Sequence, residues 1–301
     1  MYNIVHKRRW WYVISVVVLI PGVIALILGG LRSGIDFKGG SLMRISFEQG
    51  RPATQEASDA IAGVVAGEFF IQPVEETDIL LRAKELTEEE QGAVVQALSE
   101  KFGTVNEQSF ESVGPTIGRE LRNKSATAIV VVLAFIILYI SFAFRKVSSG
   151  PVKSWVYGVM AVVALAHDLL FVIGSFAILG YFFNVEVGAL FVTALLTTLG
   201  FSVHDTIVVF DRVREHTRSN PAADFETTVN ESVNQTMARS LNTSASTLLV
   251  LVCLYFFGGA SIRDFVLALI LGIIAGTYSS IFIASTLLVS WQKFTEKRRG
   301  Y

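Results

Sequence analysis

The chain has 301 residues, 52% of them hydrophobic and only 17% charged, with a mean hydropathy of +0.53. A soluble domain carries roughly 25% charged residues, so the chain as a whole is not one. The net charge of −1 gives no footprint for nucleic acid, and a single cysteine, Cys253, excludes an internal disulfide and a cysteine-built metal site.

Lys7, Arg8 and Arg9 precede an apolar run over 10–30. A basic start before an apolar run also describes a signal peptide, but this run exceeds the roughly 7–15 residues of an h-region and no A-x-A-like cleavage site follows. It is read as a retained helix. A hydrocarbon core takes about 20 apolar residues per helix. Runs near 10–30, 125–144, 155–180, 187–210, 241–260 and 263–290 qualify, giving six spans. The only long polar stretch, 31–123, lies between the first and second.

That stretch reads as a folded α+β domain. Ser41–Glu48 alternates, with Leu42, Arg44, Ser46 and Glu48 opposed to Met43, Ile45 and Phe47. Pro52 opens a helical stretch with Ala57, Ile61, Val64 and Val65 at helical spacing. Strands follow at Phe69–Val74 and Ile79–Ala83, split by a Glu75-Glu76-Thr77-Asp78 turn. Thr87 with Glu90 three residues on spells a capping box for a helix that buries Val94, Val95 and Leu98 and ends near Phe102-Gly103. Val105–Phe110 closes a β-α-β-β-α-β order, the ferredoxin-like arrangement. The domain contains no histidine, and its carboxylates read as a solvated helix face, so a binding surface or moving lever is expected rather than catalysis.

Basic residues in short loops set orientation. They sit at Lys7, Arg8 and Arg9, then at Arg145, Lys146 and Lys153 after span two. Arg212, Arg214, Arg218 and Arg239 follow span four, and Lys293, Lys297, Arg298 and Arg299 lie in the tail. The loops after spans three and five offer only Arg263. Both termini are therefore expected in the cytoplasm of a bacterial cell, and residues 31–123 outside its inner membrane. The expected domains are 1–30 (N-terminus and span one), 31–123 (periplasmic) and 124–301 (spans two to six and the cytoplasmic tail).

Ionisable groups at bilayer depth are expensive and mark function by default. Span three carries His167-Asp168 and span four His204-Asp205, with Asp211-Arg212 at its mouth. Thr198, Ser202 and Asp205 share one helical face. Span five begins at Arg239, and Asn242, Thr243 and Ser246 continue its face. Asp205 and Arg239 are thus opposite charges on two polar-striped helices. Protonation of Asp205 would make or break such a pair; equally, the pair would be a static packing device, or Arg239 would snorkel to the interface. His167 and His204 read as hydrogen-bonded packing residues, and Asp168 as a second polar site without a visible partner. Gly272 and Gly276 form G-x-x-x-G in span six, a close-packing signal.

No G-x-x-x-x-G-K-[ST] nucleotide motif and no H-E-x-x-H zinc motif occurs. No nucleophile–base set is evident either, so no enzyme, metal or cofactor is expected. Four segments resemble signatures of the SecD/SecF protein-export family of the resistance-nodulation-division superfamily. They are G-I-D-F-K-G-G at 34–40 (Gly34, Asp36, Gly39 and Gly40), V-G-P-T-I-G-R-E-L at 113–121, A-H-D at 166–168 and H-D-T-I-V-V-F-D-R at 204–212. Length and a single external domain correspond to the SecF side of that family.

The resemblance implies an obligate SecD-like partner, a SecYEG-type channel and translocating preproteins as contacts in the lipid membrane, and export assisted by the proton gradient. It places the coupling residues on Asp205 and Arg239; the polar pattern of the spans themselves adds Thr198, Ser202, His204, His167 and Asp168 as candidate supporting groups. His204 departs from the Asn expected in many relatives, which leaves open its effect on Asp205 and whether the coupled ion is a proton or sodium. Two other readings stay open: half of a proton-driven small-molecule or lipid exporter of the same superfamily, and a structural scaffold.

Overall fold

The computed structural model describes residues 2–74, 76–144 and 151–299; Glu75, Arg145 and Lys146 of the sequence reading, and the side chain of Arg299, lie outside the described residues. The chain divides into two units, Ser33–Ala126 and a second made of 1–32 with 127–301. In order the elements are α1 (Arg8–Gly29), α2 (Ile35–Lys38), β1 (Gly40–Phe47), α3 (Thr54–Ile61), β2 (Phe69–Val74), β3 (Asp78–Ala83), α4 (Glu88–Phe102) and β4 (Val105–Val113). Then come α5 (Pro115–Ala143), α6 (Ser154–Phe183), α7 (Ala189–Ser219), α8 (Phe225–Phe257), α9 (Ala260–Ser279), a π-helical turn (Ser280–Ala284) and α10 (Ser285–Arg299).

In the smaller unit the four strands pair antiparallel in the order β2-β3-β1-β4. The period-2 alternation decides which face is covered. Met43, Ile45 and Phe47 of β1, Ile71 of β2 and Ile79 and Leu81 of β3 are buried, together with Ala57 and Ile61 of α3 and Val94 and Leu98 of α4. Thr87 and Glu90 form the reciprocal capping box at the start of α4. One carboxylate departs from the solvated-face expectation. Asp78 belongs to β3 rather than to a turn, is buried, and receives Arg44 Nε at 2.6 Å and Thr77 Oγ1 at 2.8 Å. Burial pushes its carboxyl pKa up, but the hydrogen bonds from Thr77, Arg44 and Ser46 outweigh that and hold it below the ordinary value.

Among the described residues, six helical segments are long and apolar enough to cross a membrane, so the chain is a multi-pass membrane protein. Several helices overrun their apolar runs. The fifth span was expected over 241–260, but α8 begins at Phe225, where Asp224 caps it by accepting from the Thr227 N–H at 3.0 Å. The added turns read as polar to a hydropathy window yet are amphipathic, burying Phe225, Val229 and Val233. The second span likewise begins at Pro115 rather than near 125, and the fourth runs on to Ser219.

Two details fix the packing. Gly22 of α1 and Gly174 of α6 meet so closely that a Cβ on either would lie 2.8 Å from the other's Cα, so both positions need glycine. The N-terminal segment lies along α8: Asn230 accepts from the Ile4 N–H at 2.9 Å, Asn234 from the Tyr2 N–H at 2.7 Å, and Ile4 and Val5 are buried.

Candidate functional site

Four helical segments converge on a set of small hydroxyls and two carboxylates. The α7 face predicted from spacing is the buried one: Thr198, Ser202, Asp205 and Thr206 are all at most 5% exposed. The α9 glycines lie directly on it. A Cβ on Gly272 would come within 2.2 Å of Thr198 Cγ2, and one on Gly276 within 2.7 Å of Ser202 Cβ. The G-x-x-x-G motif therefore does more than permit a generic contact; it seats α9 on the polar stripe.

Asp205 accepts one hydrogen bond at Oδ1, from Ser240 Oγ of α8 at 2.9 Å. Its Oδ2 is buried without a hydrogen-bond partner among the described residues, a costly state for a carboxylate oxygen in a span. The expected Asp205–Arg239 ion pair is not formed. Arg239 is exposed and makes no ion pair among the described residues. It does not begin a helix either, since it stands roughly four turns inside α8. Asn242, Thr243 and Ser246 are exposed with it. The side of α8 turned inward is one position on, at Ser240 and Ser244, and Ser244 Oγ hydrogen-bonds Thr277 Oγ1 of α9 at 2.5 Å.

Asp168, expected to lack a partner, has three. Ser202 Oγ of α7 and Ser279 Oγ of α9 donate to its Oδ2 at 2.6 and 2.7 Å, and His167 Nδ1 lies 3.1 Å from its Oδ1. His167 also stacks on Tyr278, with ring centroids 6.0 Å apart. Ser280, the next residue, turns to α7, donating to the Ser202 carbonyl at 3.2 Å and hydrogen-bonding Thr206 at 2.8 Å. Adjacent serines reach different helices because successive side chains on a helix point about 100° apart; the π-helical turn starts at Ser280. His204 is exposed on the opposite side of α7 with Thr193 and Thr197, and its side chain has no hydrogen-bond or ion-pair partner among the described residues. At the end of the site, exposed Arg212 bonds Gln235 and Glu215, and Asp211 pairs with Arg214.

The sequence reading missed Thr206, Ser240, Ser244, Thr277, Ser279 and Ser280. For α8 a signal existed: Thr228, Ser232, Thr236, Ser240 and Ser244 recur every four residues and all are buried. The G-I-D-F-K-G-G and G-P-T-I-G segments pack on each other. Gly39 has φ +80° and no room for a Cβ, which would lie 2.7 Å from Pro115 Cα; Gly40 has φ +129°, and a Cβ there would lie 2.7 Å from the Ala83 carbonyl oxygen. Gly34 ends the approach, its carbonyl accepting from the Phe37 and Lys38 N–H groups, and Asp36 lies in the single turn of α2. These signature residues build a backbone elbow.

Among the described residues no group of three or more His, Cys, Asp or Glu stands close enough to hold a metal. A sequence model described as "Protein export membrane protein SecD/SecF, C-terminal" matches residues 93–294. The chain is 48% identical to "Protein translocase subunit SecF" of Thermobaculum terrenum over 97% of this chain and 94% of that protein. It is 39% identical to the protein of the same name from Anaerolinea thermophila, with the same coverage of both. The solved structure of "SecDF, a translocon-associated membrane protein" from Thermus thermophilus superposes with a TM-score of 0.83 at 31% identity, over 97% of this chain but only 39% of that one. A second solved SecDF, in a super-membrane-facing form, gives 0.71 at 30% identity over 99% of this chain and 40% of the other. This chain belongs to the SecD/SecF family of protein-export membrane proteins.

Proposed function

We propose that the chain is the SecF-type half of an ion-driven machine that assists protein export, working with a SecD-type chain beside a SecYEG-type channel on translocating preproteins. Its relatives carry the name of translocase subunit, and its counterpart in the solved SecDF occupies about two fifths of a longer chain. The observation that carries the paired reading is the outward polar surface of α7 and α8. His204, Arg239, Asn242, Thr243 and Ser246 are exposed on helices that otherwise qualify as membrane spans. Arg239 stands at the edge of the apolar run 241–260 and His204 inside span four, and polar and ionisable groups at such depth seldom face lipid, so a second protein surface covers these groups.

Asp205 is the coupling group in this reading: a carboxyl held by one serine, with a second oxygen free to take and release a proton. Arg239 is its through-space modulator. One charge crossing 100 mV supplies ~2.3 kcal/mol, so repeated protonation would power movement without any enzymatic step or cofactor. The basic loop residues support termini in the cytoplasm and an inner-membrane location. Residues 31–123 are then periplasmic. Their β-α-β-β-α-β order with sheet order β2-β3-β1-β4 supports a ferredoxin-like domain there. Affinity purification of the tagged chain from its native membrane tests the pairing. Recovery of a second, SecD-like six-span chain is expected; isolation of this chain alone, with His204 and Arg239 facing lipid, would refute it.

A further inference from the structure

The carboxylate that the coupling scheme leaves unused is Asp168. It is 4% exposed and its three hydrogen-bonding side chains come from three helical segments, α6 itself, α7 and α9. The bonds continue beyond it. Ser202, which donates to Asp168, lends its carbonyl to Ser280, and Ser280 hydrogen-bonds Thr206, the neighbour of Asp205. Gly272 and Gly276 press α9 onto Thr198 and Ser202 without space for a methyl group. Asp168 thus closes a network that fixes α6, α7 and α9, with the π-helical turn, at the level of Asp205.

α8 is held differently. Near Asp205 it meets this network through two hydroxyl contacts, Ser240 to Asp205 and Ser244 to Thr277. Beside them an open groove of about 300 Å³ separates α8 from span six, lined by Leu241, Ser244, Leu248, Ile274, Tyr278 and Phe282. The α6, α7 and α9 side of the network is therefore bonded throughout, whereas α8 has room beside Ser244, one turn from the Ser240 that holds Asp205.

We infer that Asp168 is a positioning residue for Asp205: through Ser202 and Ser279 it makes α6, α7 and α9 a fixed frame, so that a change at Asp205 moves α8. This rests on the proposed role of Asp205, and the experiment separates the two. Cys253, the single cysteine of this chain, is exposed on α8 on the face it shares with Arg239 and Ser246, and takes a spin label in the full chain before reconstitution with the SecD-type partner recovered from its native membrane. The label's mobility is read with and without an imposed proton gradient in wild type, Ser279→Ala, Asp168→Asn, Asp205→Asn and Ser175→Ala. Ser175 donates only to the Phe171 carbonyl of its own helix and serves as the control.

The expected result is a gradient-dependent change in wild type and Ser175→Ala and none in Asp205→Asn. In Ser279→Ala, which removes one hydroxyl, and in Asp168→Asn, loss of a buried hydrogen bond shifts the equilibrium between label states about tenfold. Both variants lose a little thermal stability with that bond but stay folded at the temperature of the measurement, and partner recovery stays at the wild-type level. A wild-type response in both Ser279→Ala and Asp168→Asn, with Asp205→Asn silent, overturns the inference and leaves the proposed function standing. So does a loss that only tracks thermal stability, since a merely structural role gives that. A wild-type response in Asp205→Asn overturns both.

Discussion

Replacing Gly276 by alanine places a methyl carbon 2.7 Å from Ser202 Cβ, 3.1 Å from its Oγ and 3.2 Å from its Cα. None of these atoms is the far end of a flexible chain, so α9 or α7 must shift by several tenths of an ångström. Overpacking of this kind costs about 1–3 kcal/mol. The shift also pulls Ser202 Oγ from Asp168, a 2.6 Å buried hydrogen bond worth about 0.5–1.5 kcal/mol. Together Gly276→Ala is expected to destabilise the larger unit by about 1.5–4.5 kcal/mol. Gly200→Ala, in the middle of α7 with nothing within 4 Å of its added methyl, is the matched control and gains about 0.5–1 kcal/mol from helix propensity. Thermal unfolding of both purified variants in detergent measures the contrast. A Gly276→Ala protein that melts with the wild type would refute the claim that α9 is seated directly on the α7 stripe.

Three further outcomes are expected. Gly39→Ala combines a left-handed backbone at φ +80° with a Cβ 2.7 Å from Pro115 Cα, so it destabilises the smaller unit by about 3 kcal/mol or more; limited proteolysis within 33–126 reads it, and an unchanged cleavage rate contradicts it. Asp78 has a folded-state pKa below its ordinary 3.8, so its stabilising contribution is present above that value and is lost as pH falls through the folded pKa. Amide protection in β1 and β3 of the full chain, taken relative to the intrinsic exchange rate at each pH, therefore falls on acidification in wild type, and Asp78→Asn flattens that dependence; an equal acid response in both would count against the Arg44–Asp78 pairing. Asn230→Ala removes the acceptor of the Ile4 N–H and Val5 N–H, and costs about 1–3 kcal/mol locally; faster exchange confined to residues 2–8 is the expected sign.

Much of this architecture is legible in residue order because its signals are local. The alternation of Ser41–Glu48 states which side chains reach the core, and Thr87 with Glu90 marks a helix start that needs no tertiary information. The membrane faces were harder to read. Thr198, Ser202 and Asp205 were placed on one inward face correctly, yet the face of α8 was taken one position out, through Arg239 rather than Ser240. Charge attracted the assignment, whereas small hydroxyls are what a closely packed bundle buries. Asp168 lacked a visible partner because its donors, Ser202 and Ser279, come from other helices, and only the packing of Gly276 against Ser202 brings them together. The π-helical turn over Ser280–Ala284 has no period in the sequence to announce it.

The central claim is that Asp205 couples an ion gradient to protein export. It is tested most directly in inverted membrane vesicles by following completion of translocation of a secreted protein, with and without a proton gradient, for wild type and Asp205→Asn. The account predicts that the gradient accelerates completion in wild type and has no effect in Asp205→Asn, with both chains equally abundant. Equal acceleration in the two would contradict it.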